Sequence, residues 1–249
     1  MSQPFTTQSL TTLVNYPFKD PRWKEKCAIG VAISFVSLFT LFIPSVLVVG
    51  YGYQIMRRII VDGEEPYLPE WDDWGKFFTD GMRLAGAGLI IYLPIILIFS
   101  AAGAFAILPL FLSGFPAQTG TVTGPVVLVS TMLQLILFGV GILVSIPLGI
   151  LWPAMIGQVV ATHSFSAIFQ IRAWWRIFRA NVGGFLMVYV LVIGFSLALY
   201  MVFQLLALTI IFCCLAPVVL AGLNFFTIVI TYPLYAKAYR DGAQTLSAV

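Results

Sequence analysis

Charge is what this sequence has least of. No Asp, Glu, Lys or Arg occurs between Arg83 and Arg172, and none between Arg179 and Lys237. Charged residues make up 9% of the chain and hydrophobic ones 60%, with a mean hydropathy of +1.00. Soluble domains carry about 25% charged residues, and about 20 uncharged apolar residues suffice to cross a bilayer. Neutral runs this long exclude a water-soluble core and predict an all-α, polytopic integral membrane protein, read as one membrane domain over 1–249.

Histidine is nearly absent as well. Zinc takes three or four protein ligands and a b-type haem as a rule two, so the lone His163, beside Thr162 and Ser164, reads as an interfacial polar residue and no cofactor is expected. The three cysteines, Cys27 and the adjacent Cys213 and Cys214, do not make a disulfide framework. In apolar surroundings such thiols act as small hydrophobes. The N-terminal MSQPFTTQSLTTLVNYPF lacks a basic n-region, which argues against a cleaved signal peptide. Residues 1–18 read as a polar tail, and the first apolar segment as a retained anchor. The net charge is only +3 and the basic residues flank apolar runs, so nucleic acid is not an expected partner.

What is present is a series of apolar segments. About five spans are predicted, at 27–53, 84–112, 125–146, 183–210 and 217–236, forming a transmembrane helical bundle. Asp20-Pro21 supplies an N-cap and first-turn pair ahead of the first, and Pro44 should kink it. The third apolar block runs to about Ala161. Pro147 and Pro153 are expected to divide it into a span and a bent continuation, or six spans result if it doubles back. Turns are expected in SGFPAQTGTVTG and near CCLAP (213–217). Small residues at four-residue spacing, Gly141, Ser145 and Gly149, with Gly30 and Ser34 in the first span, are candidates for close helix packing in lipid.

Seven of the ten acidic residues fall within DGEEPYLPEWDDWGKFFTDG (62–81). Calcium-loop spacing is missing, and Pro66 and Pro69 hold the acids apart, which disfavours a metal site. The helical period instead puts Trp71, Trp74, Phe78 and Met82 on one stripe. Opposite it, Asp72–Lys76 and Lys76–Asp80 stand at i,i+4. An interfacial amphipathic helix is therefore expected at 71–83, with solvated carboxylates.

A second interfacial helix is expected at 165–179. There Ala167, Ile171, Trp174 and Phe178 form one face, with Trp175 beside it, and Arg172, Arg176 and Arg179 form the other. A basic face opposed by aromatics fits a helix lying on anionic lipid; it fits equally a charge pattern that only orients the chain. Five spans would set nine basic residues, in 57–83, 163–182 and the C-terminus, against Lys19, Arg22, Lys24 and Lys26. A re-entrant first block turning at Pro44 would put all of them on one side. Either way the loops 57–83 and 163–182 are expected on the cytoplasmic face of the cell membrane.

The stretch GYGYQIMRRIIVDGEEPYLPEWDDWGKFFTDGMRL resembles the bacterial and archaeal integral membrane family catalogued as domain of unknown function 4013. The shared pattern is Gly50-Tyr51, the basic pair Arg57-Arg58, the Leu68 to Trp74 segment and Asp80-Gly81. The resemblance is closest over 50–84 and implies no activity.

No ionisable group falls inside the expected spans, which disfavours ion-coupled transport, and no nucleophile motif accompanies the acids. The sequence therefore points to a non-enzymatic structural or accessory subunit packed against membrane lipids and other integral membrane proteins, or against itself. The alternative is a permease or flippase-like component for a neutral or lipidic substrate.

Overall fold

Every regular element is helical in the computed structural model, which describes residues 7–40, 43–113, 123–207 and 215–247. The helices are α1 (Thr7–Lys19), α2 (Trp23–Ser37), α3 (Ser45–Arg57), α4 (Trp74–Ser113), α5 (Thr123–Thr162), α6 (Ile171–Ala180), α7 (Val182–Ala207) and α8 (Ala216–Ser247). A π-helical turn, Arg58–Asp62, extends α3, and a 3-10 turn, Phe165–Phe169, precedes α6. Among the described residues, four helices are long and apolar enough to cross a membrane: Trp74–Pro109, Gly124–Thr162, Val182–Leu205 and Ala216–Ser247. The expected turns at 114–122 and 213–214 lie outside the described residues.

The fifth expected span, 27–53, is a hairpin. Lys26, at the start of α2, donates to the Leu68 carbonyl at 2.8 Å, while Tyr51, late in α3, donates to the neighbouring Pro69 carbonyl at 3.0 Å. The two helices thus leave from and return to the same loop. Pro44 precedes the first residue of α3 instead of kinking a longer helix. Its missing N–H costs nothing in a first turn, where that donor has no intrahelical partner.

Further expectations change. The helix expected at 71–83 is not separate: α4 begins at Trp74 and runs on into the span. Asp73 caps it by accepting the Lys76 backbone N–H at 3.0 Å. Nor do Pro147 and Pro153 divide α5. Each removes one donor, and the flanking i→i−4 bonds carry the helix past it. The second interfacial segment is broken rather than continuous, because Gln170 leaves helical geometry between the 3-10 turn and α6. The polar N-terminal segment is helical from Thr7, burying Leu13 and Tyr16, and the Tyr16 hydroxyl donates to the Val229 carbonyl at 2.9 Å.

The chain divides into two compact units. One comprises residues 1–87 and 151–249. Its core joins Leu13 of α1, Ala154 of α5, Phe185 and Val188 of α7, and Leu234, Ala238 and Tyr239 of α8. Gly30 packs under the Phe225 ring, so close that a Cβ would collide with it, and Ser34 is buried one turn further on. The other unit, residues 88–150, contains residues 88–113 of α4 and 123–150 of α5. There Gly141 is buried beneath the Phe99 ring, and Phe99 meets Phe138 edge-on at 5.2 Å. The half-buried Ser145 returns its hydroxyl to the Ile142 carbonyl, and Gly149 is also half-buried.

Candidate functional site

The family-like stretch folds into a tight knot around the end of α3. Gly50 and Gly81 let α3 and α4 cross with backbones in contact. A Cβ at Gly50 would land on the Phe77 carbonyl, and one at Gly81 on the Val46 carbonyl. Tyr51, fully buried, stacks on Trp71 with ring centroids 4.4 Å apart and planes 16° from parallel. The Trp71 indole N–H donates to the Lys26 carbonyl at 3.0 Å. Trp71 therefore clamps the hairpin to the loop and is not part of a membrane-facing stripe. Trp74, stacked on it at 5.5 Å, does stay exposed, together with Phe78 and Met82.

Most of the acids that form contacts here do so in ion pairs or a small ion cluster. Lys26, 5% exposed, reaches Asp20 at 2.6 Å and Glu70 at 2.8 Å, and Glu70 also meets Arg22 at 2.6 Å. Burial, the largest single influence on the Lys26 ammonium, disfavours its charge; hydrogen bonds from Asp20 and Glu70 and their attraction outweigh it and hold its pKa above the ordinary lysine value. Asp20 mirrors this: burial raises it, but the Lys26 bond, an N–H from Arg22 and nearby positive charge hold it below the usual carboxylate range. Arg58 pairs with Glu64 and lies 4.0 Å above the Tyr67 ring. Among the described residues no group of three or more His, Cys, Asp or Glu is placed to hold a metal.

Asp80 departs most from expectation. Instead of standing solvated opposite Lys76, it is 2% exposed. One oxygen accepts from Arg83 at 2.7 Å and the other from the Gln54 amide. Arg83 in turn lies 3.3 Å from both ring nitrogens of His163, and the Tyr53 hydroxyl is 2.6 Å from Nδ1 of the same ring. His163 ends α5 with φ 54, the left-handed conformation usual for glycine at a helix end. Burial and then the Arg83 guanidinium hold its pKa below the ordinary histidine value, against a weaker opposing pull from Asp80. The network ties α3, α4 and the end of α5 together. Nothing in the periodicity of any one segment brings Tyr53, Gln54 and His163 to Asp80; the distances in sequence are too long.

α6 is held from beneath and charged above. The buried Trp174 donates to the Ile168 carbonyl at 3.1 Å. Asn181 accepts the Gly184 N–H at 3.2 Å, capping α7, and donates to the Ala238 carbonyl at 3.0 Å. Gly242 of α8 admits the Ile177 carbonyl closely. Arg172, Arg176 and Arg179 are exposed, as is Trp175; of the apolar face, Trp174 is buried while Ile171 is 61% exposed.

These features define an all-α, polytopic membrane protein with, among the described residues, four long apolar helices, a helical hairpin and a polar layer of ion pairs. The chain belongs to the family described as protein of unknown function DUF4013, whose profile matches residues 33–208. Comparison with curated proteins and with solved structures gave no match.

Proposed function

We propose that this protein is a non-enzymatic structural or accessory subunit whose outer helices pack against another integral membrane protein. The observation that carries this reading is uneven coverage of the apolar helices. In the most hydropathic stretches of α5 and α7, 11% of residues are buried, against 39% in α8. Helices in lipid associate through packing of close-fitting surfaces, and α5 offers a long uncovered one, with Leu128, Met132, Leu135 and Leu143 each more than 60% exposed. The polar groups of the knot, by contrast, are largely spent on one another, which argues against a reactive centre there.

The hairpin supports one sidedness over the other. It returns Arg57 and Arg58 to the end where Arg22 and Lys26 stand, so the polar layer gathers these basic residues, and the positive-inside rule favours the cytoplasmic face for such a layer. Purification from the native membrane in mild detergent, followed by native mass spectrometry, tests the subunit reading. A reproducible stoichiometric protein partner is expected. A lone chain that passes a neutral solute or flips lipid in liposomes would replace this reading with the permease one.

A further inference from the structure

We infer that α6 is a docking site for the phosphate headgroups of anionic phospholipids, with Arg172, Arg176 and Arg179 as the binding groups. The inference stands on observations separate from those behind the subunit reading. The first is uncompensated charge. Arg22, Lys26, Arg58, Arg83 and Lys237 are all ion-paired within the chain. Among the described residues, none of the three α6 arginines has a side-chain hydrogen bond or ion pair, and Asp241 of the adjoining α8 is paired with Lys237. Their charge is left to solvent or to a ligand from outside the chain.

The second observation is position. Asn181 joins the end of α6 to both the first turn of α7 and the Ala238 carbonyl, so the arginines are fixed beside the start of a membrane-crossing helix. Exposed Phe169, Ile171 and Trp175 flank them. Apolar and indole side chains at that depth favour the zone between headgroup and acyl chain. The third is chemistry. Positions i, i+4 and i+7 lie on one helix face and extend over about 10 Å. All three are arginine, whose planar fork binds phosphate oxygens in pairs where lysine offers a point charge.

The test uses the full chain in detergent, titrated with phosphatidylglycerol or phosphatidylcholine at low ionic strength, with bound lipid counted by native mass spectrometry. The wild type is expected to prefer phosphatidylglycerol. At about fivefold per arginine, the R172Q/R176Q/R179Q variant should lose about a hundredfold in phosphatidylglycerol affinity and keep its weak phosphatidylcholine binding. The three-lysine variant should fall between the two. If the triple glutamine variant does not fold, each single glutamine variant carries the test with a loss of about fivefold. Equal retention of both lipids by the wild type, or unchanged phosphatidylglycerol binding in the glutamine variants, would overturn the inference. So would an equal loss in K24Q/K76Q, which removes two exposed charges elsewhere, or displacement of the lipid by equimolar inorganic phosphate.

Discussion

Residues 88–150 contain no Asp, Glu, Lys, Arg or His, while all thirteen basic and all ten acidic residues belong to the other compact unit, 1–87 with 151–249. The two are held together by different physics. In the charged unit, directional contacts fix which atom meets which: Lys26 on Asp20 and Glu70, Asp80 on Arg83 and Gln54, Asn181 on Ala238. In the neutral unit no charge is available and shape carries most of the packing, as where Phe99 closes over Gly141. The burial of ionised groups demands complete pairing, so the first arrangement tolerates few substitutions. The second is apolar on nearly every side, and a surface facing lipid accepts most apolar replacements.

Glycine substitutions should break this comparison most sharply. In the charged unit, Gly50→Ala or Gly81→Ala drives a methyl group into a backbone carbonyl that cannot swing aside. We expect a loss of about 3 kcal/mol or more, measured as thermal stability by tryptophan fluorescence in detergent. In the neutral unit, Gly103 and Gly139 have open space where a Cβ would go. There Gly→Ala should stabilise the helix by about 0.5–1 kcal/mol. The same change with opposite signs would establish the division; similar effects in both units would dissolve it.

The next largest effect concerns the buried ammonium. Lys26→Met keeps the stem but strands one oxygen of the Asp20 carboxylate and the Leu68 carbonyl. A loss of about 2 kcal/mol is expected, moderated because Glu70 is 43% exposed and keeps Arg22. A variant as stable as the wild type would show that the ion cluster only decorates the hairpin.

Legibility in the sequence divides along the same line. The apolar helices could be read because their signal is local: long neutral runs leave few alternatives to crossing a membrane. The basic stripe of α6 is equally local, since Arg172, Arg176 and Arg179 repeat at helical spacing. The hairpin was not decidable, because a proline within an apolar run reads equally as a kink or as a first turn, and only the convergence of Lys26 and Tyr51 on one loop separates them. Asp80 misled for a related reason. Its i,i+4 partner Lys76 is visible in the sequence, but its actual partners Gln54 and Arg83, and His163 behind them, belong largely to other elements. Trp71 was drawn to the membrane stripe by periodicity, although the helix that would define that period starts three residues later.

His163 gives a smaller effect, confined to the charged unit and dependent on pH. Its pKa is lower in the folded protein than the ordinary value of about 6.5. The fold therefore favours the neutral ring, and this contribution to stability is complete above about pH 6.5. As pH falls below that, the unfolded chain takes up the proton first and stability declines until the folded ring is also protonated. Melting temperature should thus drop between pH 7 and the onset of carboxylate titration, and His163→Asn should flatten that slope while still accepting the left-handed backbone conformation. Because the side chain is 48% exposed, the slope is expected to be shallow. An identical slope in the variant would remove His163 from the pH response.

The smallest stability effect, and the one that joins the comparison to function, belongs to Leu143, which is 69% exposed in the neutral unit. In detergent the side chain exchanges one apolar environment for another, so Leu143→Ala should change stability by less than about 0.5 kcal/mol. If α5 is covered by a partner in the native membrane, the same substitution opens a gap in that interface and lowers recovery of the partner severalfold in the native purification. Stability and partner recovery therefore move independently only if the uncovered face is an interface. A large loss of stability in the isolated chain would mean that the neutral unit is packed from within after all, and the physical basis for a subunit role would go with it.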